Sequence, residues 1–156
     1  MARNLAKLAQ HLNTIYVEQG KTITLGLEPE PFTTLETTQE VVSFFKDYLL
    51  RDGVDEVRKE HGEPTDVAEA VVRRHIGICY DCCHQAVEFE DSESSLDLLR
   101  QNEIQIAKMQ LSNALEVRDY SELERLREYI EPRYLHQAFI EDTQGQITPY
   151  LDLDQF

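Results

Sequence analysis

Ile76-Gly77-Ile78-Cys79-Tyr80-Asp81 is the stretch on which the fold turns. Residues 75–81 read as a strand, and because successive strand side chains point to opposite faces, Ile76, Ile78 and Tyr80 oppose Gly77, Cys79 and Asp81. One face is apolar and the other is small or polar. The same division recurs in three more segments. Residues 21–28 set Ile23, Leu25 and Leu27 against Thr24, Gly26 and Glu28. Residues 106–112 set Ala107, Met109 and Leu111 against Lys108, Gln110 and Ser112, and residues 134–140 set Leu135 and Phe139 against His136 and Ala138. Alternation alone fits an antiparallel sheet with one wet side equally well.

The intervening segments tip the balance towards a parallel sheet. Leu5, Leu8, Leu12, Ile15 and Tyr16 recur at spacings of three and four, which predicts an amphipathic helix over 3–18, stopped at Gly20. Thr37 and Glu40 have capping-box spacing ahead of Val41, Phe44, Phe45, Tyr48 and Leu49, so a second helix starts there and closes near Asp52-Gly53. A charged run over 54–64 ends in Glu63-Pro64, after which Thr65 can cap a short helix through Val72. Residues 94–102 and 121–129 also read as helical, and the tail over 141–156 has little pattern. Helix and strand therefore alternate four times, which argues for an α/β fold of about four parallel strands. Helices on such a sheet take its apolar face. Glu28, Asp81, Gln110 and His136 then collect near the carboxyl ends of the strands, where barrel enzymes build their sites.

The 156 residues carry 15 Lys and Arg against 30 Asp and Glu, a formal charge of −15, and are 41% hydrophobic. This is the composition of a globular chain. Phosphate binding needs a basic surface, so the charge excludes nucleic acid as the expected partner and disfavours an anionic membrane. No stretch approaches the roughly 18 apolar residues of a membrane-spanning helix, and residues 1–20 lack a signal-peptide pattern. The cytoplasm is the expected compartment.

Two carboxylates and nearby imidazoles suit a divalent cation with mixed oxygen and nitrogen ligands, Mn²⁺ or Zn²⁺. His84, three residues beyond Asp81, falls on the loop above it. The three cysteines, Cys79, Cys82 and Cys83, read as reduced thiols. Cys79-x-x-Cys82 has zinc or redox spacing but no second such pair, and Cys79 is expected to point inward beside Asp81.

Leu27-Glu28-Pro29-Glu30-Pro31, the run from Gly77 to Glu90, Gln110-Leu111-Ser112-Asn113-Ala114-Leu115 and Tyr134-Leu135-His136-Gln137 together resemble, in order, the EboE family of metabolite-traffic proteins. That family resembles a branch of the xylose-isomerase-like (β/α)8 barrels, among them metal-dependent sugar isomerases and epimerases. The resemblance implies that Glu28, Asp81, His84 and His136 are metal ligands, Asp81 and His84 forming an Asp-x-x-His unit. Two positions depart from the family. Phe32 stands where the family has Gly, and Gln110 stands where metal-dependent relatives place a His ligand.

A full barrel takes about 250 residues and eight βα units. The chain is therefore expected to be one partial barrel domain over 1–156, lacking strands at both ends, with self-association or a missing barrel half as consequences. Two functions follow. The first is handling or binding of a small polar metabolite, with Gln110 among the ligand-binding groups. The second is a metal-dependent sugar or polyol isomerase or epimerase, in which Glu28, Glu30 and His84 are the candidate catalytic residues.

Overall fold

A computed structural model describes residues 1–155. Strand β2, Ile76–Asp81, forms where expected, and all six of its residues are buried. Strand β1, Leu25–Leu27, pairs parallel with one side of β2, placing Leu25 opposite Ile76 and Leu27 opposite Ile78. Strand β3, Ile106–Gln110, pairs parallel with the other side, placing Tyr80 opposite Met109 and Asp81 opposite Gln110. The register slips by one residue after Ile78, which leaves Ala107 unpaired and puts Ile106 beside Ile78. A Cβ on Gly77 would lie 2.6 Å from the carbonyl oxygen of Gln105, so this crossing tolerates only glycine.

Helix α1, Ala2–Gln19, ends on Gly20 in the left-handed conformation, as its sequence predicts. Its buried face is Ala2, Ala6, Ala9 and Leu12, more alanine-rich than the leucine stripe suggests. Helix α2, Thr38–Phe44, carries the expected capping box: the Thr37 side chain accepts from Glu40 N, and Glu40 accepts from Thr37 N. The helix does not close at Gly53. A nine-residue π-helical segment, Phe45–Gly53, leads straight into α3, Val54–His61, and the run stops only at Gly62, whose φ is 69°. Residue 53 is glycine within the helical run because α1 crosses there. Its missing Cβ would stand 3.3 Å from the Ala6 Cβ.

Helix α4, Thr65–His75, delivers the chain to β2, with Pro64 rather than Thr65 in the capping position. The β2–β3 connection holds α5, Cys82–Val87, and α6, Ser92–Gln101. The core joins α1, α2, the π-helical segment, α3 and α4 to Ile76, Ile78 and Tyr80 of β2, and it ends at Leu99 and Ile104.

Beyond Ile104 the architecture departs from the expected alternation. Residues 120–129 form only 3₁₀ turns around a single-turn α7, Leu123–Leu126. Among the described residues no full helix covers β3, and Met109 stays 44% exposed. The segment expected as a fourth parallel strand forms β4, Ala138–Glu141, which pairs antiparallel with β5, Ile147–Tyr150. The fold is thus mixed α/β, with a three-stranded parallel sheet in the order β1-β2-β3 and a separate hairpin. Among the described residues the sheet stays open and no barrel closes. Among the described residues no helix is long and apolar enough to cross a membrane.

Candidate functional site

Because β1, β2 and β3 run parallel, their carboxyl ends meet on one rim, and each delivers a polar residue to it. Glu28 follows β1, Asp81 ends β2, and Gln110 ends β3. The Gln110 amide nitrogen donates to Glu28 Oε1 at 2.7 Å and to Asp81 Oδ2 at 2.6 Å. Lys108 Nζ donates to Gln110 Oε1 at 2.9 Å, which turns the amide so that its NH₂ faces the carboxylates.

Asp81 is the fixed centre of the group. Its Oδ1 accepts from the Ser112 hydroxyl and, at 3.0 Å, from the Cys83 backbone N–H, so the side chain also caps α5. Burial opposes ionisation of Asp81, but the hydrogen bonds from Ser112 and Cys83 outweigh it and hold its pKa below the ordinary value of 3.8. The carboxylate remains charged at neutral pH. Glu28 is far more open to solvent than Asp81.

His84 stands on the first turn and a half of α5, above this rim. Its Nδ1 lies 3.0 Å from the Pro29 carbonyl oxygen, which can only accept, so Nδ1 carries a proton. Glu28 Oε1 is 3.7 Å from the same Nδ1. Cys79 is buried beside the carboxylates, as expected, and burial followed by the Glu28 charge pushes its thiol pKa up.

Asp81, Cys83 and His84 each offer one ligand atom, and the three atoms lie within 4.8 Å of one another. Oxygen, sulfur and nitrogen donors in one group can hold a metal ion. Two features oppose ready occupation. Burial raises the Cys83 thiol pKa, a nearby Asp81 raises it further, and metal binding requires the thiolate. Asp81 Oδ1 already accepts two hydrogen bonds and Oδ2 one, leaving a single lone pair.

The structure therefore brings together Glu28, Asp81, His84 and Gln110. It does not add His136 or Glu30. His136 precedes the hairpin, and both its backbone N–H and its ring Nδ1 lie 3.3 Å from Asp152 Oδ1. Glu30 begins a turn in which its N–H donates to the Leu35 carbonyl at 3.0 Å and its own carbonyl accepts from Thr33. Two contributors were less visible in the sequence. Ser112 is legible as the next polar-face residue after Gln110; Cys83 gave no signal beyond adjacency to His84. An open groove of about 680 Å³ lies elsewhere, between the start of α1 and the Phe44–Tyr48 stack, and no residue of the carboxylate rim lines it.

No family model, curated protein or solved structure matches the chain.

Proposed function

We propose that the chain binds and hands on a small, hydroxyl-rich metabolite at the Glu28–Asp81–Gln110 rim, in the manner of the EboE metabolite-traffic family, on part of a sugar-isomerase-like scaffold. The observation that carries this reading is the single amide of Gln110 between two carboxylates, 2.7 Å from one and 2.6 Å from the other. Two carboxylates held close repel each other unless a cation or a donor stands between them. Here a neutral donor does so, and the rim needs no metal to form. What remains is an acceptor-rich edge, one Glu28 oxygen and one Asp81 lone pair, with the His84 ring above it. Such an edge selects a ligand that presents several donors, which hydroxyl groups supply. Three free cysteines fit a reducing cytoplasm.

The test is calorimetric titration with a polyol and a pentose, myo-inositol and xylose, on the parent chain and on Asp81→Ala. Saturable binding lost in the variant supports the reading. Equal heats from both proteins contradict it.

A second reading, a divalent-metal-dependent sugar or polyol isomerase or epimerase, is favoured by one observation, the Asp81–Cys83–His84 group. Those residues would hold Zn²⁺ or Mn²⁺, and the metal would supply polarisation of a substrate carbonyl. Glu28, and Glu30 if its loop closes, would move a proton. Stoichiometric metal in protein purified from supplemented medium favours this reading over the first.

A further inference from the structure

Helix α5 starts at the rim and ends in a second, unlike environment. Its amino end is capped by Asp81, and the residue that follows its last turn, Glu88, is only 7% exposed. Among the described residues neither Glu88 carboxylate oxygen has a hydrogen-bond partner. Gln85, one turn earlier on the same helix, is 2% exposed, and both polar atoms of its amide are equally without partners. Glu88 is faced by three like charges: Glu36 from the loop after β1, Glu40 from α2, and Glu90 from the stretch after α5. Among the described residues no cation acts on it. Glu90, by contrast, is fully engaged. It accepts from Thr38 N at 2.8 Å and from Thr38 Oγ1 at 2.7 Å, and that hydroxyl lies 2.7 Å from Ser95 Oγ. Its own N–H donates to the Gln85 carbonyl at 3.0 Å.

An ionised carboxylate that is buried, unpaired and surrounded by carboxylates is costly, and the cost vanishes when it takes up a proton. We propose that Glu88 is a proton-operated latch: protonated, it lets the end of α5 close against Thr38, and ionised, it drives that segment outward and loosens the helix that carries Cys83 and His84 to the rim. Burial, missing partners and three neighbouring carboxylates set the latch whichever ligand the rim takes.

Burial first, then Glu36, Glu90 and Glu40, push the Glu88 pKa from 4.5 to about 7. A folded pKa above the unfolded one means that the folded chain binds the extra proton. The closed state is thus best maintained below about pH 4.5, and stability falls as pH rises towards 7, where the charge is half formed.

The experiment uses the full chain and Glu88→Gln, compared in denaturant unfolding from pH 5 to pH 8 and by amide hydrogen exchange at Cys83, Glu90 and Thr38. The unfolding equilibrium constant of the parent should rise relative to that of the variant by on the order of a hundredfold across this range. Protection at those three amides should fall with pH in the parent only, ahead of core amides such as Val72. Identical pH profiles for the two proteins would overturn the latch, and so would a uniform loss of protection with no lead at the three amides. If Glu88→Gln does not fold, carbon-13 NMR of the parent decides: a Glu88 carboxyl midpoint near 7 supports the latch, and one near 4.5 overturns it.

Discussion

Gln110 Nε2 lies 2.6 Å from Asp81 Oδ2, joining the ends of β2 and β3 through side chains just where the backbone ladder between them stops. The same nitrogen reaches Glu28 beyond β1, so one amide ties all three strand ends. Gln110→Leu keeps the size but removes the donor, leaving two carboxylates without their bridge. The variant should lose about 1–2 kcal/mol of stability in urea unfolding at pH 7, since hydrogen bonds to charged acceptors exceed neutral ones. No change would mean that the bridge does not hold the rim together.

Asp81 predicts a pH dependence opposite in sign to that of Glu88. Its folded pKa lies below 3.8, so its contribution to stability is complete above that value and is lost as pH falls through the lower, folded pKa. Asp81→Asn cannot ionise, and its NH₂ replaces one of the two acceptor oxygens, facing either the Gln110 amide or the Ser112 hydroxyl and Cys83 N–H, which donate in the parent. The parent should therefore be more stable than Asp81→Asn at pH 7, and the gap should narrow below pH 3.8. Urea midpoints at pH 7 and pH 3 check this.

Much of the rim was legible in the sequence, because period-two alternation assigns faces without knowing which strands pair. Glu28, Asp81 and Gln110 share a polar face whatever the topology, and a parallel ladder then brings their ends together. Pairing itself is non-local, which is why residues 134–140 misled. Only their second half is strand, Leu135 of the expected apolar face is exposed, and β4 pairs with the next segment in the chain. The cue lay in the tail: Asp142 Oδ1 accepts from Gln144 N at 2.8 Å and Gln146 N at 2.9 Å, and Gly145 takes φ 78°, a hairpin loop closed by a left-handed glycine. Gly53 misled for a related reason, since its role is to admit a crossing helix rather than to end its own.

Phe32 occupies a backbone conformation that ordinarily calls for glycine. Its φ is 62°, a backbone conformation that suits Gly, and its ring lies 5.7 Å from that of Phe139 on β4. The phenyl contact that docks the hairpin on the loop after β1 offsets the strain. Phe32→Ala loses the contact and keeps the strain, whereas Phe32→Gly loses both. The glycine variant should be about 1 kcal/mol more stable than the alanine variant by thermal or urea unfolding. Equal stabilities would show that the turn is not strained.

The most direct test of the rim as a metabolite site is NMR observation of the Gln110 side-chain amide during titration with myo-inositol and with xylose, in the absence of added metal. The account predicts a saturable shift of that resonance with at least one of them, abolished by Asp81→Ala. An unmoved Gln110 amide with both probes, together with stoichiometric zinc on Asp81, Cys83 and His84, would contradict it.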